Sequence, residues 1–349
     1  MGSDRDPVEE ASGQTVDLYG IATWEPRSLF DKAVTLLYKL LTVASRVVIV
    51  LAALIMLAAI GGLSAIADPQ TTALTLLSAI PALGLAGYVW YTDVASEPLS
   101  LLVGTFFLGV LTATFAAILN STLQPYFQGL AFLGSILFYF LVVGPVEETV
   151  KLLAIRLFAY SSDRFTTVLD GAVYGAMAGL GFAFIENALY IRRNIPVADV
   201  EFGLSLLGVG GGITAVRAVA GPGHVIYSAF AGYYLGLAKF NREYRGPLII
   251  KGLLIAAFIH GLYNSTISLG TALVHTWTGL PVLVSFLLYV VVYDGFWGYL
   301  LLKKIRAYRQ AYDDTHSGAE AVVDSDFEFE TDEEETEFGR LLELALGLR

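Results

Sequence analysis

The chain contains no cysteine. That excludes a disulfide framework and any thiolate metal site, so a bound metal would have to use His, Asp or Glu. Charged residues are also scarce, at 15% of the 349. A soluble domain carries about 25%, and the shortfall leaves too little polar surface to face water. Lysine is rarer still, with 7 against 14 arginines, and there are four histidines. Residues 1–32 are polar and lack a signal-peptide pattern. What fills the gap is apolar, with 56% hydrophobic residues and a mean hydropathy of +0.65. Composition therefore predicts an all-α, polytopic helical bundle whose solvent is the lipid bilayer, with no nucleic-acid partner.

The net charge of −11 is confined to one end. Residues 311–349 hold 13 acidic and 2 basic residues, among them Asp324, Asp326, Glu328, Glu330 and Asp332 to Glu335. Such a block reads as a solvated, disordered tail. An acidic tail with little lysine suits a high-salt cytoplasm, so a halophilic source is the expectation.

A helix needs about 20 apolar residues to cross the hydrocarbon core. Eight segments meet or approach this: 43–66, 73–91, 98–119, 129–157, 167–191, 222–240, 248–273 and 279–302. The expected organisation is a polar N-terminal region 1–42, a bundle 43–302, and a tail 303–349. Basic residues cluster before the first span (Arg27, Lys32, Lys39), around 156–164, at Arg242 and Arg245, and at 303–309. With eight spans these all fall on one side, which puts both termini in the cytoplasm. Arg192 and Arg193 are the exception. Residues 203–221 are apolar but glycine-rich and contain Arg217, which reads as a re-entrant or interfacial segment.

Ionisable groups at membrane depth are costly, so each one needs a reason. The fourth span contains Gly144-Pro-Val-Glu147-Glu148-Thr-Val-Lys151, the fifth Phe182-Ala-Phe-Ile-Glu186-Asn187, the sixth opens Gly221-Pro-Gly-His224, and the seventh contains His260-Gly-Leu-Tyr-Asn264. At 1.5 Å per residue, Glu147 and His260 lie roughly 20 Å from the cytoplasmic ends of their spans, His224 roughly 25 Å and Glu186 roughly 30 Å. All four therefore reach the outer half of the core. His224 follows Gly-Pro-Gly at an expected helix start, where free N–H groups can bind an anion.

Each of these residues also has a structural explanation. Glu147 and Lys151 share a helix face and can form an ion pair. Glu186-Asn187 can hydrogen-bond between helices. His224 suits the headgroup level, and His260 can be a satisfied core histidine. Asp294 and Lys251 read as an inner-half structural pair. The glycines at 175, 179 and 181 read as a close-packing face. What the separate explanations leave open is why four helices bring acids and imidazoles to one depth.

Two histidines and a carboxylate can hold zinc with a position left for water. A further glutamate can then act as general base. No HExxH signature is present, so such a site would be assembled from separate helices. The same groups could also form a proton relay in a transporter, or persist in a non-catalytic scaffold.

Glu147-Glu148-xx-Lys151, Phe182-xxx-Glu186-Asn187, the isolated His224 and His260-Gly-Leu-Tyr-Asn264 together resemble the PrsW family of intramembrane proteases. That family is similar to the larger group containing the CAAX prenyl endopeptidases. The resemblance covers residues 98–302. It implies a membrane metalloprotease acting near the outer face on membrane-anchored proteins such as anti-sigma factors. It also carries Glu147, Glu148, His224 and His260 over as catalytic or metal-binding positions. Two departures stand against the CAAX group: Leu152, preceded by Lys151, stands where that group has arginine, and Glu186 where it has histidine. A metal-free glutamate mechanism stays open on that account. Coordination chemistry assigns zinc to His224, His260 and Glu186, with Glu147 as base, Glu148 in support and Asn264 on the substrate oxyanion.

Overall fold

In the computed structural model, Val8 and residues 17–195 and 204–318 are described. Among them the chain is helical, with no strand beyond one isolated bridge between Tyr19 and Thr23. The helices are α1 (Leu29–Ala59), α2 (Gly62–Ala67), α3 (Pro69–Tyr91), α4 (Leu99–Leu123), α5 (Ala131–Phe138), α6 (Gly144–Leu157), α7 (Val168–Asn194), α8 (Leu204–Phe240), α9 (Arg245–Thr278) and α10 (Val282–Gly318). Among the described residues, six helical runs are long and apolar enough to cross a membrane: α1, α3, α4 with its 3-10 extension, α7, α9 and α10. The other two expected spans, 129–157 and 222–240, are helical within α5–α6 and α8. The chain is a multi-pass α-helical membrane protein.

The chain divides into two units at Ala53. In the first, Ser28 and Asp31 cap each other's backbone N–H groups at 2.8 and 3.0 Å, which starts α1 at Leu29 rather than near residue 43. In the second, Gly61 turns the chain at φ +81°, a conformation open to glycine, so the expected 43–66 span ends at Ala59 and α2 is separate. The last helix runs on to Gly318, and the remainder of the expected tail lies outside the described residues.

The centre of the second unit is the α7–α8 pair. A Cβ on Gly171 would meet the Gly232 carbonyl at 2.2 Å, one on Gly175 the Ser228 carbonyl at 2.2 Å, and one on Gly179 the His224 carbonyl at 2.3 Å. Glycine at these positions lets the two backbones touch. Gly181 instead meets Phe106 of α4.

The segment read as 203–221 departs from the sequence reading. Residues 204–221 are no re-entrant element but the first half of α8, which passes through Pro222 without a break, and residue 203 lies outside the described residues. His224 therefore sits 20 residues into a helix, not at a start with free N–H groups. Pro222 lacks its own hydrogen bond in any case, and the glycines on either side reduce crowding around its ring.

Candidate active site

Gly144 brings α6 against α9, since a Cβ there would meet the Ala257 carbonyl at 2.5 Å. A π-helical turn, Tyr139–Val143, precedes it and resets the register in which α6 begins. The first turn of α6 then delivers Glu147 and Glu148 beside His260, and the two carboxylates diverge because adjacent helical residues point about 100° apart.

Glu147 faces a cavity of about 440 Å³ lined also by Asn120, Glu186, Arg217, His224, Tyr227, His260 and Asn264. Its Oε1 accepts a hydrogen bond from Asn120 Nδ2 at 3.0 Å. Its Oε2 is buried without a hydrogen-bond partner and lies 3.7 Å from His260 Nε2. Glu148 points the other way and is fully buried. It accepts from Lys151 Nζ at 2.6 Å, pairs with His260 Nδ1 at 2.8 Å and accepts from Ser228 Oγ at 3.4 Å.

The partner of Lys151 is thus Glu148, not Glu147. Spacing of three brings two helical residues as close as spacing of four, and on the inner side Lys151 also meets His224 Nδ1 at 3.0 Å. The two imidazoles stand edge to face, 5.2 Å between ring centres. His224 Nε2 lies 3.0 Å from Glu186 Oε2, which is also bonded by Arg217 Nη2. Asn187, beside it, does the interhelical work, receiving Arg217 Nε at 2.7 Å and donating to Ser78 Oγ at 3.0 Å.

Of the six residues singled out in the sequence, Glu147, Glu186, His224, His260 and Asn264 line the cavity and Glu148 supports it from behind. Asp294 is not paired with Lys251. It accepts from Tyr227 Oη at 3.2 Å, while Lys251 sits over the Tyr234 ring. Tyr293, beside Asp294, donates to the Ile259 carbonyl at 2.7 Å, which sets Asp294 against the middle of α9, past Lys251 near its start. Asn120 and Arg217 were missed as site residues. Each is a polar side chain inside an apolar helix, and that placement alone is a signal of function.

Glu147, His224 and His260 each offer one ligand atom, and these atoms lie within 4.8 Å of one another. The donor set fits a metal. Glu147 Oε2 is an unpaired buried oxygen, and the His260 Nδ1–Glu148 contact is the carboxylate–histidine arrangement that orients metal-binding imidazoles. Glu186 falls outside this group, its carboxylate taken by Arg217.

A polytopic bundle with acids and imidazoles gathered in a polar cavity, and a donor set that fits a metal, suits a membrane-embedded hydrolase. Residues 97–295, more than half of the chain, match the PrsW family intramembrane metalloprotease family, and the chain belongs to it. It is 29% identical over 193 residues to Protease PrsW of Oceanobacillus iheyensis, covering 55% of this chain and 82% of that one. It is 31% identical over 199 residues to Protease PrsW of Clostridioides difficile, covering 55% and 77%. Against Protease PrsW of Bacillus subtilis it is 29% identical over 187 residues, covering 53% and 78%. No solved structure matches the chain. The chain is a membrane endopeptidase of a metalloprotease family.

Proposed function

We propose that this protein hydrolyses peptide bonds of membrane-anchored protein substrates, of the anti-sigma factor kind, in the cavity beside Glu147. The observation that carries this reading is the grouping of one unpaired carboxylate oxygen with two imidazoles inside a buried polar cavity. Both termini are cytoplasmic in this reading, because the basic loops fall on one side, and the cavity then lies in the outer half of the bilayer.

His224, His260 and Glu147 would hold the metal, which we take to be zinc. What zinc supplies when bound is a Lewis acid and a water acidic enough to ionise near pH 7. This exchanges the roles that coordination chemistry alone gave the two carboxylates. Glu147 joins the donor set because its Oε2 is unpaired. Glu186, held by Arg217 and lining the same cavity, takes the proton of the attacking water and returns it to the leaving amine. The water oxygen adds to the scissile carbonyl and the C–N bond breaks. Asn264, one turn from His260, donates to the carbonyl oxygen as it gains charge.

The test is a pair of variants, read for metal content and for cleavage of a reporter substrate in vesicles. Glu147→Gln loses both metal and activity. Glu186→Gln keeps metal and loses activity. The opposite pattern restores Glu186 as ligand and Glu147 as base. Cleavage that survives complete metal removal overturns the zinc assignment.

A further inference from the structure

A second group of acids lies at the other end of the bundle. Asp93 and Glu97 sit in the connection between α3 and α4, and Asp170 in the first turn of α7. One carboxylate oxygen from each lies within 4.8 Å of the others. On α7, Asp170 precedes Glu186 by 16 residues, roughly 24 Å along the helix, so this cluster is separate from the cavity.

The donors around the cluster are only partly sufficient. Asp170 caps α7, accepting from the backbone N–H groups of Thr166 at 2.5 Å and Thr167 at 3.0 Å and from the Thr167 hydroxyl. Tyr174 Oη donates to Glu97 Oε2, and Asp93 Oδ1 accepts from Val94 N at 2.8 Å. The remaining oxygens, Glu97 Oε1 and Asp93 Oδ2, are buried and have no partner. Glu97 is only 6% exposed.

Among the described residues no lysine or arginine forms an ion pair with any of the three. Lys239 comes near, but its ammonium donates to the carbonyls of Tyr160 at 3.0 Å and Ser162 at 3.4 Å. Three carboxylates thus converge with no cation bonded to them, Lys239 acting on Asp170 and Glu97 only from a distance. Capping accounts for Asp170 alone. It leaves unexplained why Glu97 is buried with its carboxyl against that of Asp170, a contact that only a shared proton or a cation makes favourable.

We propose that Asp93, Glu97 and Asp170 bind a hard divalent cation that ties the α3–α4 connection to the start of α7. All the donors are oxygens, which suits magnesium or calcium and not the nitrogen-rich centre described above. Burial pushes the Glu97 carboxyl up to about 8 and the Asp93 carboxyl up to about 7. Protons therefore compete with the cation near neutral pH, and the assay belongs at pH 8 or above.

The experiment uses the full-length protein in detergent with terbium(III) as probe for a calcium-like site. Tyr174, bonded to Glu97, supplies a sensitiser at the site. The acidic tail has no tyrosine or tryptophan beyond Tyr312, so terbium held there gains little sensitised emission. Wild-type protein is expected to show saturable, tyrosine-sensitised emission, displaced by calcium or by magnesium; the more effective competitor names the native ion. E97Q and D93N should each weaken terbium binding at least tenfold, and H260A should leave it unchanged. If E97Q is not monodisperse, D93N decides, since Asp93 lies in a connection and an asparagine there can still accept from the backbone N–H of Val94. No sensitised emission, emission that titrates alike in wild type and D93N, or emission lost in H260A would each overturn the proposal. None of these results touches the protease reading, which depends on the other centre.

Discussion

Glu148 holds two neighbours at once, and replacing it separates folding from catalysis. It is fully buried, with Lys151 Nζ at 2.6 Å and His260 Nδ1 at 2.8 Å, and Lys151 is itself only 1% exposed. Glu148→Gln preserves shape but removes the charge, so a buried ammonium loses its counterion. Breaking a buried pair from one side costs about 3–5 kcal/mol. Against a total of about 5–15 kcal/mol that is a large fraction. The single variant should therefore melt far below wild type in detergent, or be recovered in poor yield.

The second variant removes both charges. Glu148→Gln with Lys151→Met replaces the ion pair by groups of similar volume, a change that is often neutral or stabilising. Thermal stability should return to near the wild-type value. Metal affinity should not, because glutamine no longer holds His260 Nδ1 as an ionised carboxylate does. Loss of such an outer partner costs about 10–100-fold in metal affinity or activity. The assays are a melting curve, metal analysis and reporter cleavage on the same preparation. A single variant as stable as wild type would refute the buried ion pair. A double variant with full activity would refute the orienting role of Glu148.

Other expectations follow from the same geometry. Asn120→Ala removes the donor to Glu147 Oε1; it should lower metal affinity about 10–100-fold without changing the melting temperature, read by competition with a chelator. Asn264→Ala should reduce turnover by about 10²–10³, the usual cost of one oxyanion donor, at unchanged metal content. A topology reporter fused after residue 310 should read as cytoplasmic; an extracytoplasmic reading would invert the bundle and move the cavity to the inner half.

Much of the bundle was legible because lipid imposes a length rule. Apolar runs gave α3, α4, α7 and α9 to within five residues of their ends, while α10 continues well past the expected 302. The rule misjudged α8, where Gly-Pro-Gly within an apolar stretch reads as a break. What holds the helix together is contact with α7, at glycines that allow backbone approach to 2.2–2.3 Å for an added Cβ, and no local pattern reports that contact. At the site, depth counting brought Glu147, Glu186, His224 and His260 to one layer. It could not say which face of a helix each carboxylate takes. Glu147 and Glu148 are neighbours in sequence with opposite surroundings, and Lys151 took the one that spacing of four did not favour. Asn120 lies at the end of an expected span, where a polar residue looks like a loop.

Charge accounting ties these particulars together. Each imidazole of the centre meets a carboxylate that is itself held by a buried or nearly buried cation: Lys151 with Glu148 at His260, and Arg217 with Glu186 at His224. Two cations and two carboxylates cancel, which makes burial of all four tolerable in a medium where isolated charges are costly. Glu147 is left over. Among the described residues its only donor is the neutral amide of Asn120, and the oxygen nearest His260 has none. An unbalanced carboxylate at that depth must be neutralised, by a proton or by a metal. Two imidazoles with ligand atoms within 4.8 Å of a Glu147 oxygen favour the metal. By the same accounting Glu186 is already matched by Arg217, which keeps it ionised and makes it the poorer ligand. Arg217→Met should then disturb Glu186 first: metal content holds while cleavage falls, and Arg217→Lys recovers part of the rate. If Arg217→Met instead strips the metal, Glu186 belongs to the donor set, and the exchange of roles between the two glutamates is wrong.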